Sequence, residues 1–222
     1  MLLTSPLSSP LKNPVRDVFS PAGSSQSLTA QVQALFASRA GGMWDMGDIA
    51  TLFQDAATPV TAVTQPIGIV LDKSQGLVLG PELLVNGDFS NGTTEWTAFS
   101  STLSVDTGRL KILAASTYGW AYQAFTTVVG RTYRLTYSLT NGDASDCCLY
   151  IDTGPGLEAA NYDSGGKADG TYTAVFVATA TTTFVKPLIA GTGKFAFYDN
   201  ISIKELPGNH ATQPTAIKRS LY

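Results

Sequence analysis

The feature that most constrains the fold is an alternation of apolar and polar residues that recurs from residue 83 to residue 206. Its clearest instance is residues 133–139, where tyrosine and leucine alternate with arginine, threonine and serine. A period of two is typical of a strand that is buried on one face. Turn signals such as Asn141-Gly142 and Gly191-Thr192-Gly193 separate these segments. About eight strands at this spacing predict an all-β fold, an antiparallel jelly-roll β-sandwich.

The same alternation predicts which side chains share a face. Cys147 and Cys148 are neighbours on a strand, so they point to opposite faces and cannot readily bond to each other. We predict a core thiol and a surface thiol, both reduced. Three further sets are each predicted to lie on one face, the last of them inward: Trp120, Tyr122 and Ala124; Tyr172, Ala174, Phe176 and Ala178; and Phe195, Phe197, Ile201 and Ile203 of the closing strand.

The body is predicted to open with a strand–turn–strand element at residues 82–96. A short apolar run enters a polar turn at Asn86-Gly87-Asp88, and Phe89 and Trp96 bracket a second turn at Asn91-Gly92. Asparagine and glycine supply the positive φ angles that tight turns need.

The rest of the chain divides into three predicted segments. Residues 1–26 form a Pro/Ser-rich arm that we expect to lie extended on a partner, because its prolines block helix and central strand. Residues 27–81 form a helical and extended docking segment, with Asp48 capping one helical turn, and residues 207–222 form a tail that returns to it. A helix that begins after Ser27 is predicted at the start of this segment, and its apolar face fits packing against the protein's own domain as well as docking on a partner. The predicted apolar docking residues are Leu28, Val32, Phe36, Trp44, Phe53 and Leu71.

Composition argues against several classes of function. Only 14% of the residues are charged, the net charge is −3, and the cations are scattered, so direct nucleic-acid binding is not expected. The first residues lack the pattern of a signal peptide, and no apolar run is long enough to span a membrane. We therefore expect a protein made in the cytoplasm that does not bind membranes.

Catalysis finds little support in the sequence. His210 is the only histidine, no G-x-S-x-G elbow is present, and Gly193-Lys194 lacks the residues of a phosphate loop. The sequence does not decide whether two acidic side chains form the carboxylate pair of a glycosidase. We expect a protein that is not an enzyme.

Residues 52–76, LFQDAATPVTAVTQPIGIVLDKSQG, resemble a segment of virion structural proteins of tailed bacteriophages. In those relatives LDKS runs on into a GNHATQ-like string, which stands here at residues 208–213. The resemblance implies that the β domain is an insertion, with Lys73-Ser74 near Gly208-Asn209 in space. It also implies a virion location, with other virion proteins as partners, the major capsid protein first. Since virion appendages sit on symmetric positions, we expect a homo-oligomer, namely a trimer. The role is then capsid decoration (a cement), or a fibre, spike or neck component that binds host glycan.

The string from Leu84 to Trp96 and the closing Asp199-Asn200-Ile201 resemble carbohydrate-binding modules related to cellulose and xylan binders. Ser90 departs from the family pattern, which usually has an acid there. The resemblance implies a jelly roll, and a possible structural calcium held by Asp199 and Asp88, with Glu95 as an alternative ligand. It also implies aromatic residues that stack on sugar rings, for which Tyr118, Trp120, Tyr122 and Tyr162 are candidates. The spacing of the first three is equally that of a core strand.

Overall fold

A computed structural model describes residues 30, 34–35, 41–56, 58–156, 161–213 and 215–221. Its strands are β1 (Leu52–Phe53), β2 (Pro66–Ile67), β3 (Ile69–Val70), β4 (Thr97–Phe99), β5 (Ser101–Asp106), β6 (Arg109–Ala114), β7 (Tyr118–Thr126), β8 (Thr132–Asn141), β9 (Asp146–Asp152), β10 (Tyr162–Asp163), β11 (Gly170–Val177), β12 (Thr182–Ala190), β13 (Phe195–Glu205), β14 (Ala211–Thr212) and β15 (Ser220–Leu221). Two 3₁₀ turns span Ile49–Thr51 and Ala216–Lys218.

Ten of these strands form the predicted jelly roll. The first sheet has the order β10-β9-β12-β7-β4 and the second sheet the order β11-β8-β13-β6-β5, all pairs being antiparallel. The fold class predicted from the alternation is therefore confirmed, with ten strands in place of about eight. Among the described residues there is no helix with the length and hydropathy that a membrane crossing requires.

The core lies between the two sheets and follows the predicted alternation along β8. Tyr133, Leu135, Tyr137 and Leu139 are all nearly fully buried. They pack against Ala174 and Phe176 of β11 and against Ala178, which directly follows that strand. Tyr172 packs at the edge of the same cluster. Both cysteines are free, with Cys147 in this core and Cys148 on the other face of the first sheet, yet both are buried. The prediction of a surface thiol was wrong, since Cys148 is only 5% exposed.

The predicted orientation of the closing strand was wrong in its first half. Ala196 and Tyr198 are fully buried, so Phe195 and Phe197 point away from the core, whereas Ile201 and Ile203 point inward as predicted. The register against β8 shifts between Asp199 and Ser202. A β-bulge adds one residue and exchanges the two faces of every later position. The alternation alone cannot show where that exchange occurs.

The predicted strand–turn–strand element at residues 82–96 was wrong, since these residues form a loop in which Glu82 alone makes an isolated β-bridge, and positive φ angles at Phe89 and Glu95 interrupt any extended run. This opening loop lies directly against the bulge. Asn86 adopts a positive φ of 55°, as the turn prediction requires. Gly87 accepts a hydrogen bond from the backbone N–H of Ile201 at 2.9 Å, and a Cβ atom on Gly87 would lie 1.9 Å from the carbonyl oxygen of Ile201. Glycine is therefore required at this position by close approach of the closing strand.

We expect Gly87→Ala to lower the free energy of unfolding by about 2 kcal/mol, because the closing strand must move away from the added methyl group. The matched control is Gly92→Ala, which has open space around it and only the strain of a positive φ, about 1 kcal/mol. Urea denaturation of both variants checks the difference. Equal losses would contradict the close-approach argument.

An appended unit, residues 41–79 and 207–221 as far as they are described, packs against one end of the sandwich. It contains a three-stranded sheet in the order β1-β3-β14 and the pair β2-β15. The predicted helical turn after Asp48 is present, since its side chain accepts a hydrogen bond from the Ala50 N–H. Residues 66–67 and 69–70 are extended and paired, as predicted for the extended part of the docking segment. Ala30, Ala34 and Leu35 are helical, whereas Leu28, Val32 and Phe36 lie outside the described residues.

Candidate functional site

The carboxylate of Asp72 joins three separate stretches of the appended unit. It is fully buried and accepts hydrogen bonds from the backbone N–H groups of Met43 (2.7 Å), Ser74 (2.8 Å) and Asn209 (2.8 Å). The Ser74 hydroxyl donates a fourth, at 2.8 Å. Desolvation acts to raise the pKa of Asp72, but the hydrogen bonds from Met43, Asn209 and Ser74 together hold that pKa below its ordinary value. The buried group is therefore held as a charged, fully bonded hub.

His210 completes this hub. Its Nδ1 accepts a hydrogen bond from the backbone N–H of Asp72 at 2.9 Å. The other ring nitrogen, Nε2, lies 2.9 Å from the carbonyl oxygen of Leu206. Since Nδ1 is an acceptor, Nε2 carries the proton and donates to Leu206. Both nitrogens of the only histidine are thus used to hold the chain together.

The predicted meeting of the two sequence segments is confirmed. Asp72 binds both Ser74 and Asn209, and β14 pairs with β3 directly before it. Trp44 also bridges the two segments, since its indole Nε1 donates to the carbonyl oxygen of Asn209 at 3.1 Å. The stretches around residues 72–74 and 208–210 therefore form one continuous structure.

The predicted docking residues separate into two groups. Phe53 and Leu71 are buried in a cluster with Val175 and Leu206 of the sandwich, so they attach the appended unit to its own body. Trp44 is 47% exposed, and its neighbour Met46 is also exposed. Of the predicted docking residues in the described chain, Trp44 alone presents a large apolar surface.

A second candidate site is the outer face of the first sheet. Trp120 lies on this face, but it is only 5% exposed. The ring of Phe99 stacks on it with centroids 4.0 Å apart, and its Nε1 donates to the carbonyl oxygen of Pro155. Trp120 therefore belongs neither to the central core nor to an open platform, since a loop and a second ring cover it.

A buried ion pair fixes that loop. Lys186 and Asp152 are fully buried on the outer face, with the Lys186 Nζ 2.7 Å from the Asp152 Oδ2. The same ammonium group donates to the carbonyl oxygens of Gly154 and Gly156. Three acceptors satisfy the three donors of a lysine. The ion pair thus holds residues 152–156 over the sheet.

The remaining predicted sugar-binding residues are spread over different environments. Tyr162 is buried in the core, whereas Tyr118 is 49% exposed and Tyr122 is half-buried beside Phe184. Phe99, which was not predicted, is 44% exposed on the edge strand β4. Its ring has Trp120 on one side. No sequence signal distinguished Phe99, because β4 is only three residues long and exposed throughout.

The predicted calcium ligands are engaged in local hydrogen bonds. Asp88 accepts from the N–H and hydroxyl of Ser90, and these bonds lower its pKa. Asp199 accepts from the backbone and side chain of Asn200. In the described part of the chain, no group of three or more His, Cys, Asp or Glu side chains is placed to hold a metal ion. The residues present do not form a ligand set, and calcium binding stays a prediction.

The thiols are poor nucleophiles in this environment. Burial raises the pKa of Cys147 to about 11 and that of Cys148 to about 12, with the Asp146 carboxylate adding to both shifts. Thiols with such values stay protonated near neutral pH. Neither cysteine is therefore prepared for covalent catalysis.

No protein-family model matches the chain, and no curated protein matches it. Several solved structures are similar to it, and carbohydrate-binding-module-like β-sandwiches are among them. A CBM4 structure shares 12% identity over 55% of this chain and 98% of its own, with a TM-score of 0.47. The xylan-binding CBM22-1 domain of Xyn10C from Paenibacillus barcinonensis shares 15% identity over 59% of this chain and 97% of its own, with a TM-score of 0.44. The enzymatically active domain of tailspike protein 4 of bacteriophage CBA120 shares 12% identity over 56% of this chain and 21% of its own, with a TM-score of 0.44. These are likenesses of fold alone.

Proposed function

We propose that the protein is a non-enzymatic structural protein of a tailed-phage virion, in which the appended unit docks and the jelly roll is displayed. The observation that carries this proposal is the Asp72 hub. It joins residues 72–74 to residue 209, the two places where the phage-like sequence is interrupted. An insertion between neighbouring chain ends leaves the original unit intact. The appended unit is therefore suited to the role that such segments have in virion proteins, with the major capsid protein as the first partner to test.

The absence of catalysis is part of this proposal. The single histidine is used to hold the hub, and both thiols are buried and protonated. These groups serve stability in the described chain. We further propose that the protein assembles as a trimer, since virion appendages occupy symmetric positions.

Incorporation into particles tests the proposal. A tagged full chain is expressed during infection by the phage that encodes it, and particles are purified on a density gradient. We expect the tag in the particles, and its loss in Asp72→Ala, because the appended unit no longer closes. The control is Phe99→Ser, which changes an exposed residue of the jelly roll outside the appended unit and should be incorporated normally. A tagged chain that stays in the soluble fraction would contradict the proposal, and immunogold labelling of head or tail separates a cement from a fibre or neck protein.

A second candidate function is binding of host carbohydrate on the outer face of the first sheet. The supporting observation is the exposed ring of Phe99, backed by Trp120 and followed along the sheet by Tyr118. An exposed, rigidly backed ring is the surface on which a sugar ring stacks. On a glycan array, we expect Phe99→Ser with Tyr118→Ser to lose the signal that Val129→Ser, at another exposed apolar residue, retains. Binding unchanged in the double variant would exclude this face.

A further inference from the structure

The outer face of the second sheet carries a row of alternating cations and aromatic rings. The Arg109 guanidinium carbon lies 4.2 Å from the centre of the Phe197 ring, and the Lys111 Nζ lies 4.2 Å from that of Phe195. The two rings meet edge to face at 5.5 Å. All four side chains are half-buried. We call Arg109, Lys111, Phe195 and Phe197 the cation–aromatic row.

The fold constructs this row through two local features. The bulge between Asp199 and Ser202 directs Phe195 and Phe197 away from the core. Gly142 allows the Phe195 ring to lie flat over the neighbouring turn, where a Cβ atom would meet the ring at 2.2 Å. The rings in turn hold the two cations over the sheet. The row is therefore preorganised by the backbone.

The cations of the row have rings as neighbours and no carboxylate partner among the described residues. The register places Asp106 opposite Arg109, but no ion pair forms between them. Asp143, at the end of the row, is bonded to Lys194 and to the Phe195 N–H. The hydrogen bond from the Phe195 N–H lowers the pKa of Asp143, and the nearby charges of Lys194 and Lys111 add to that shift, although Lys111 forms no ion pair with this carboxylate. Arg134 and Lys204 on the same sheet face also form no ion pair among the described residues, so the feature that distinguishes Arg109 and Lys111 is the aromatic ring beneath each of them.

We infer that the cation–aromatic row binds the carboxylate groups of an acidic polysaccharide. Arg109 and Lys111 lie on the same strand face, so their backbones are about 7 Å apart and can pair with carboxylates on successive sugars. Leu113, partly exposed beside Phe195, offers an apolar surface to a sugar ring. Ser104 and Thr102 on the neighbouring strand offer hydroxyl groups. This site lies on the opposite sheet from Phe99 and does not depend on either function proposed above.

The test is affinity electrophoresis of the full chain in gels containing polygalacturonate, at a fixed ionic strength near physiological. We expect retardation by polygalacturonate and none by a neutral galactan. The variant Arg109→Ala with Lys111→Ala should bind about tenfold more weakly or worse, since charge-assisted contacts are lost. Phe197→Leu keeps both charges but removes a ring, and should weaken binding about threefold through loss of preorganisation.

The matched control is Arg134→Ala with Lys204→Ala. These two cations lie opposite each other on the same sheet face, and no ring of the described residues lies beneath either of them. The control therefore removes the same amount of charge from the same sheet face but leaves the cation–aromatic row intact, so it should keep nearly full affinity. Equal weakening by both double variants would overturn the inference in favour of unspecific charge attraction. Absence of retardation in the original chain, or tighter binding of duplex DNA than of polygalacturonate, would also overturn it, while melting curves verify that every variant is folded.

Discussion

Lys186→Met is expected to lower the free energy of unfolding by about 3–5 kcal/mol, since removal of one partner leaves the other charge buried and unpaired. Both members of the Lys186–Asp152 pair are fully buried under the loop at residues 152–156. The carbonyl oxygens of Gly154 and Gly156 lose their donor as well. Urea denaturation measures the loss, and hydrogen exchange should locate faster opening in this loop and at the Trp120 indole.

Two controls separate the buried charge from the loss of packing. Asp152→Asn combined with Lys186→Met removes the unpaired charge, so it should recover more than half of the lost stability. Lys194→Met breaks the ion pair with Asp143, in which both side chains are nearly half exposed, and should leave stability almost unchanged. If the double variant is no more stable than Lys186→Met alone, the cost lies in packing and the argument from charge fails.

The alternation predicted the fold because it records a short-range property of each strand. Tyr133, Leu135 and Tyr137 face the core as predicted, since no bulge interrupts β8. The same logic failed for Phe195 and Phe197, where the bulge after Asp199 exchanges the two faces. An error of one residue is enough to convert a core assignment into a surface assignment. That error concealed the cation–aromatic row from sequence analysis.

The covered face of the first sheet could not be predicted for a different reason. Trp120 and Lys186 stand where an open sheet would expose them, but a loop from another part of the chain covers both. Nothing in a strand pattern reports that a loop returns over the strand. A lysine within the apolar stretch at residues 184–190 was the available signal, because a buried lysine requires acceptors.

The hub at Asp72 was accessible from the sequence only through resemblance. The strings LDKS and GNHATQ suggested that two distant segments meet, and they do. The resemblance did not assign roles within them. Asp72 as the acceptor of four hydrogen bonds, and His210 as the acceptor of one from Asp72, follow from the geometry alone.

Asp72→Asn is expected to lower the free energy of unfolding by about 3–4 kcal/mol, because an amide group supplies one acceptor oxygen where the carboxylate supplied two. In one orientation of the amide, its NH₂ group would face the backbone N–H donors of Met43 and Ser74. In the other orientation, it would face the N–H of Asn209. Urea denaturation measures the loss. Asp45→Asn is the control, since that carboxylate is half exposed and its partner Lys73 keeps a second carboxylate, Asp48, so the change should alter stability very little.

The loss caused by Asp72→Asn should also depend on pH. Hydrogen bonds hold the pKa of Asp72 below its usual 3.8, so unfolding takes up a proton when the pH lies between the two values. The stabilisation is fully present above the usual value and is lost as the pH falls through the lowered one. The difference between the original chain and Asp72→Asn should therefore be constant near neutral pH and shrink below about pH 4. Asp45, Asp88 and Asp143 also have lowered pKa values, but they titrate alike in both proteins and cancel in the comparison. A difference that stays constant down to pH 2 would show that Asp72 does not act through its charge.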